Sequence, residues 1–326
     1  MTTYKEIYGT NVEVLASDPT NPVEGQIWYN STSQTLKGYA LVAGSWATAA
    51  PMNTGRRVLG GAGTQTAALA FGGVSVDSPF TITAINESWN GTSWTEVGDL
   101  NTARSGLAGA GTQTAALAFG GITTVNVAVN ESWNGTSWTE LGDLNTARNS
   151  LGGVGTNTAA LAFGGVISPP TTNNVANNES WNGSTWTELG DLNTARNGMG
   201  GAGTNTAALA FGGITTVNVA VNESWNGTSW TELNDLNTAR RVLAGCGINT
   251  AALAFGGFIT AGTGATETWN GTSWTEVNDL NTARFGLGGA GTNTAALAFG
   301  GSISPIVTAT EEWSGTPLQT VNITVS

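Results

Sequence analysis

The chain has no histidine, a single cysteine and only two lysines, Lys5 and Lys37, among its 326 residues. The missing histidine removes the commonest general base and the commonest metal ligand. No Ser-His-Asp or Cys-His set can therefore form. One cysteine, Cys246, allows no disulfide within the chain. Charge is also scarce: 10% of residues carry it, and the net is −12. An acidic balance of this kind opposes general affinity for nucleic acid or anionic membranes. No apolar run approaches the ~20 residues of a membrane-spanning helix, so membrane insertion is not expected. Met1 to Leu15 lacks a basic region followed by an apolar run, so no signal peptide is expected. The sequence predicts no cofactor, no metal site, no catalytic residues and no enzyme activity.

Glycine and tryptophan are abundant instead, with 47 and 13 copies. Six times the chain spells nearly the same eleven residues, Gly-Thr-(Asn/Gln)-Thr-Ala-Ala-Leu-Ala-Phe-Gly-Gly. The copies start at Gly63, Gly111, Gly155, Gly203, Gly247 and Gly291, spaced by 44 or 48 residues. A repeat of this length is one supersecondary unit that cannot bury its apolar faces alone. Six in tandem must stack on one another. Cys246 replaces a repeat alanine, which reads as a small buried thiol.

The second repeat shows the pattern. Arg104 to Gly111 is small and glycine-rich, which lets a strand lie close to its symmetry mates. It is expected innermost, lining a central channel. Ala115 to Phe119 is apolar on both alternating faces, as for a strand covered on both sides. Gly120-Gly121 ends it. Val129 to Trp133 and Thr136 to Leu141 flank Asn134-Gly135, a strong hairpin signal. Four antiparallel strands per repeat is propeller arithmetic. The glycine load and the lack of a 3.6-residue apolar stripe exclude a helical solenoid.

An arginine opening one strand, a Gly-Gly pair closing the next and a tryptophan on the fourth resemble the kelch repeat. Here the set reads Arg104, Gly120-Gly121 and Trp138, then Arg148, Gly164-Gly165 and Trp186. Trp89, Trp133, Trp181, Trp225, Trp269 and Trp313 stand where kelch repeats usually carry tyrosine. The resemblance runs from about Ser45 to Trp313. It implies an all-β, six-bladed kelch-like β-propeller of four-stranded antiparallel blades, over residues 41–326.

The sixth repeat has Arg284, Gly300-Gly301 and Trp313, but Leu318 where its second tryptophan belongs. Gly44 to Arg56, with Trp46, aligns with Gly135 to Arg148. The last blade is thus expected to take its closing outer strand from the N-terminal segment. Leu318 to Val325, a β-prone run, is the rival strand, expected otherwise to add nearby.

Residues 1–40 lie outside the repeat. Asp18 to Tyr39 reads as a turn, a strand, a polar turn and a strand. This segment resembles a short module of tailed-bacteriophage virion proteins, tail-fibre proteins among them. That resemblance implies a virion-attachment module, and it implies a virion location. The alternative is a cellular, cytoplasmic kelch-type interaction module.

Every arginine sits where an innermost strand begins. Arg56, Arg104, Arg148, Arg196, Arg240 and Arg284 recur, while Arg57 and Arg241 follow two of them. A ring of guanidinium groups at one channel mouth would suit carboxylates or sugar acids. Pairing with the repeated Glu87, Glu131, Glu179, Glu223, Glu267 and Glu311, or with Asp99 and its equivalents, is the structural reading, since buried charges are normally paired. The tryptophans likewise read as packing rather than as sugar platforms.

Variation concentrates between Gly-Gly and the next tryptophan, and just after the arginines, at Arg57, Ser105, Asn149, Asn197, Arg241 and Phe285. In a four-stranded meander both regions lie on one face, and binding residues concentrate on loops held by a rigid scaffold. The expected binding face comprises the six repeated arginines with Arg57, Arg241 and Phe285. Its expected partners are a host-surface glycan or protein, or other virion proteins.

Overall fold

A computed structural model describes residues 12–23, 25–41, 44–168, 173–315 and 318–323. Residues 1–11 of the expected N-terminal module, Lys5 included, lie outside the described residues. So do residues 169–172 of one variable loop and residues 324–326 of the tail. The described residues are all-β, with no helix among them. They divide into two compact units, Ser45–Ser314 and the segments on either side of it.

The smaller unit is one four-stranded sheet. β1 (Glu13–Leu15) runs parallel to β2 (Ile27–Asn30), and β2 pairs antiparallel with β3 (Thr35–Leu41). Leu318–Asn322 pairs antiparallel with the other edge of β3. The tail thus covers an edge that would otherwise expose unpaired backbone groups. The larger compact unit ends at Ser314. Asp18 ties the sheet together, accepting from Trp28 Nε1 at 3.0 Å, Asn30 Nδ2 at 2.7 Å and Lys37 Nζ at 2.7 Å. These donors favour the ionised form and hold the Asp18 carboxyl at about 2, below its ordinary 3.8.

The larger unit contains six four-stranded antiparallel sheets among the described residues, an arrangement consistent with a β-propeller. β4 (Ser45–Ala49) comes first in the chain but belongs to the last sheet. Sheet 1 is β5 (Gly60–Gly63), β6 (Ala68–Phe71), then Asn86–Trp89 and Trp94–Val97. Sheets 2 to 5 repeat that order, with second strands Ala116–Phe119, Ala160–Phe163, Ala208–Phe211 and Ala251–Phe255. Sheet 6 has Gly288–Gly291, Ala295–Phe299 and Thr310–Ser314 from the C-terminal side, and its outer strand is β4. Trp313 pairs with Trp46 in that register.

The Ala-Leu-Ala-Phe strand explains the stacking. Period-two alternation puts the alanines on one face and Leu and Phe on the other. Leu69 and Phe71 of sheet 1 pack against Ala116 and Ala118 of sheet 2. The same large-against-small contact joins sheets 2 and 3, 3 and 4, 4 and 5, and 5 and 6. It also joins sheet 6 to sheet 1, through Leu297 and Phe299 against Ala68 and Ala70. Each phenylalanine meets an outer-strand tryptophan of the following sheet, as Phe71 meets Trp138 with centroids 5.1 Å apart. Burying such a side chain stabilises by about 1.5–3 kcal/mol. Glycine makes room for the ring: a Cβ on Gly153 would lie 2.6 Å from Phe119 Cζ.

Candidate functional site

The repeated arginines do not line an open mouth. Arg56, Arg104, Arg148, Arg196, Arg240 and Arg284 are fully buried. Each guanidinium pairs with the glutamate two residues before a tryptophan in its own repeat. Arg56 meets Glu87 at 3.0 Å and Arg148 meets Glu179 at 2.6 Å, and the other four pairs are equivalent. Arg56 also donates to the carbonyls of Ala70, Gly72 and Ile85. Glu87 accepts in turn from the backbone N–H groups of Asn53 and Thr54. The pairs therefore saturate the backbone where one sheet leads to the next. Burial pulls the Arg104 and Arg148 guanidinium groups below their ordinary value, and the facing glutamates oppose that pull. The expected ring of anion-binding arginines is corrected on this point, because carboxylates within the chain already hold these groups. The repeated aspartates are not their partners: Asp99 accepts from the Asn86 N–H at 3.1 Å instead.

Backbone groups occupy the centre instead. The N–H of Val58 donates to Gly286 O, Gly106 to Val58 O, and Ser150 to Gly106 O. Gly198 donates to Ser150 O, Val242 to Gly198 O, and Gly286 to Val242 O, which returns the circuit to its start. All six residues have left-handed φ, from 46° to 63°. Beside the circuit is a small depression of about 130 Å³, lined also by Leu59, Leu107, Leu151, Met199, Leu243 and Leu287.

The two variable regions do share a face. Residues after the arginines bridge to residues after Gly-Gly in the same repeat: Arg57 to Val74, Ser105 to Ile122, Asn149 to Val166, Asn197 to Ile214, Arg241 to Phe258 and Phe285 to Ser302. Across three sheet boundaries an asparagine amide stitches this face. Asn126 donates to Val166 O at 3.0 Å and accepts from Asn149 at 2.7 Å. Asn174 bonds likewise to Ile214 O and Asn197, and Asn218 to Phe258 O and Arg241. In the fifth and sixth repeats Gly262 and Ile306 occupy that place, bridging to Phe258 and Ser302, and neither has a side-chain donor.

Arg57, Arg241 and Phe285 belong to the first, fifth and sixth repeats. Arg241 lies over the Phe258 ring, 4.8 Å from its centroid, and Phe258 meets Phe285 edge-on at 5.1 Å. Arg57 donates through Nε to Asp77 at 2.8 Å and lies 5.8 Å from the Phe80 centroid. A groove of about 580 Å³ opens between sheets 6 and 1, lined by Arg57, Asp77, Phe285, Ser302, Ser304 and Pro305. The variable loops of the first and sixth repeats also bring Asp77, Phe80 and Ser304 to this face, residues that no motif in the sequence marks. Their available signal was departure from the repeat, since Asp77 and Phe80 fall within a long 48-residue spacing.

Exposed apolar residues follow the same distribution. In the larger unit these are Val76, Phe80, Val125, Val217, Ile259, Ile303 and Ile248. All but Ile248 stand on the loops after Gly-Gly. Cys246 is buried, its Sγ 3.3 Å from Thr292 O, and burial pushes its thiol up, away from the reactive thiolate. No helix among the described residues is long and apolar enough to cross a membrane. Among them, no three His, Cys, Asp or Glu side chains are grouped to hold a metal ion.

The fold and this face describe an all-β protein whose variable loops sit on a repeated scaffold of four-stranded sheets. No protein-family model matches the chain, and no curated protein matches it.

Proposed function

We propose that the chain is a six-bladed kelch-like β-propeller, closed by β4, that acts by binding a partner through its variable loop face. The observation that carries this reading is the position of the exposed apolar side chains. Six of the seven large ones among the described residues of the larger unit stand on loops of that face. Exposed apolar residues concentrated on the loops of one face support binding there, since binding residues gather on loops held by a rigid scaffold. The circuit of hydrogen bonds and the six apolar clusters support the blade count. The kelch assignment rests on the repeated Arg, Gly-Gly and Trp pattern. Binding without catalysis is supported by the absence of histidine and by the internal pairing of the six repeated arginines.

The resemblance of residues 1–40 to a phage virion module makes a tailed-phage particle the proposed location, with host-surface adhesion or decoration as the role. Two measurements test the reading. Protein mass spectrometry of purified particles should detect the chain, and its absence there, with a cytosolic partner captured instead, favours a cellular interaction module. Adsorption of the purified full chain to host cells should fall in a Val125→Glu, Val217→Glu double variant and persist in Ile248→Glu. Equal loss in both variants would remove the loop face as the binding surface.

A further inference from the structure

We infer that the groove between sheets 6 and 1 is a binding site for a neutral saccharide. This rests on the reading of the loop face as a binding surface and names the class of ligand that face takes.

The groove combines an aromatic platform with polar groups that the fold leaves unused. Phe285 is half-buried and held by its edge-on contact with Phe258, itself covered by Arg241. Its ring is therefore positioned before any ligand arrives, which lowers the ordering cost of binding. Arg57 uses Nε on Asp77 Oδ1, and their side chains are 24% and 42% exposed. Among the described residues the two terminal nitrogens of Arg57, Oδ2 of Asp77 and Oγ of Ser304 have no hydrogen-bond partner within the chain. Ser302 is already committed, bonding Pro305 O and the Ser304 N–H.

These free groups define the ligand. Arg57 can only donate and Asp77 can only accept. A vicinal diol does both, accepting from the guanidinium through one hydroxyl and donating to the carboxylate through the other. The C–H face of a pyranose matches the apolar surface of Phe285 and the adjoining Pro305. An acidic sugar fits less well. Arg57 is neutralised by Asp77, so a ligand carboxylate would meet Asp77 across the groove. The whole-chain charge of −12 would also oppose its approach. At this boundary Ile306 takes the place of the asparagine that stitches three of the others.

The test is saturation-transfer NMR and calorimetry on the full chain. The probes are lactose, maltotriose, mannobiose and diacetylchitobiose, against sialyllactose and trigalacturonate. At least one neutral probe should bind. Phe285→Ala and Arg57→Gln should each weaken it tenfold or more, while Phe285→Trp should keep it within about threefold. Thermal melting identifies a Phe285→Ala variant that merely loosens the loop, and Arg57→Gln, at a partly exposed side chain, then carries the test. Binding of acidic probes alone, or binding that ignores both substitutions, overturns the assignment. So does failure of every saccharide. If saccharides fail but Val125→Glu, Val217→Glu still abolishes adhesion, a protein partner occupies the face and the broader reading stands. If adhesion also ignores those loops, both readings fall.

Discussion

The Trp46 indole donates at 3.2 Å to the Thr266 hydroxyl, across 220 residues of sequence. Trp46 also meets Phe255, with centroids 5.0 Å apart, and Trp313 at 5.4 Å. The first strand of the larger unit thus fills the place that an outer-strand tryptophan fills in the other sheets. Trp46→Ala should cost about 3–5 kcal/mol, in the range of buried aromatic truncations. Deleting residues 1–52 should lower the melting temperature further, by exposing the edge of Thr310–Ser314. Differential scanning calorimetry checks both. Unchanged melting after the deletion would refute closure by β4.

Buried Arg–Glu pairs should be structural, and each should matter through the partner left behind. Arg104→Gln strands the Glu131 carboxylate in the interior, so about 3–5 kcal/mol should be lost. Combining Arg104→Met with Glu131→Leu should not restore full stability. Glu131 also accepts from the backbone N–H groups of Asn101 and Thr102, which the double variant leaves unpaired. Chemical denaturation of Arg104→Met, Glu131→Leu and the double variant would measure the coupling. Adhesion through the loop face should be unchanged in any variant that remains folded.

Alternate residues of the central circuit carry side chains for a steric reason. A Cβ on Gly198 would lie 3.2 Å from Val242 Cγ1, and the Gly198 backbone is left-handed at φ 62°. Gly198→Val should therefore destabilise by more than the ~1–2 kcal/mol cost of that conformation alone. Val242→Gly, at φ 46°, relieves the same cost and should be close to neutral once the added chain entropy is counted. Melting temperatures of the two variants should thus move by very different amounts. Equal shifts would contradict this account.

Acid should act on the smaller sheet through Asp18. Its carboxyl is held at about 2, below its ordinary 3.8, chiefly by Lys37, then by Asn30 and Trp28. A lowered folded-state value contributes stability that is complete above the unfolded value. That contribution is lost as pH falls from about 4 through about 2. Hydrogen exchange at β2 and β3 should accelerate across that window, and Asp18→Asn should abolish the dependence. Protection that stays constant down to pH 2 would count against it.

Much of the larger unit was legible because its physics is local. A strand with period two and apolar residues on both faces must be covered twice, and Ala-Leu-Ala-Phe also encodes which face takes the large residues. Asn-Gly marks the outer turns, with Asn134 Oδ1 accepting from the Thr136 and Ser137 N–H groups at 2.9 Å. The missing tryptophan of the last repeat and the spare Trp46 pointed to the strand β4. The identity of that strand could be read because a defect and its complement were both visible.

Other features were settled only in three dimensions. Whether an arginine faced solvent or a carboxylate depended on the register that puts Arg104 beside Glu131, and residue type alone suits either. The central circuit joins Val58, Gly106, Ser150, Gly198, Val242 and Gly286, whose alternation of glycine with a side-chain residue does not by itself tell which backbone groups meet. The groove brings Arg57 and Asp77 of the first repeat against Phe285 and Ser304 of the sixth. The repeat determined that such a scaffold forms, since identical apolar faces can only bury one another. Tertiary packing decided which residues meet at its loops, because those neighbours come from opposite ends of the chain and no local pattern relates them.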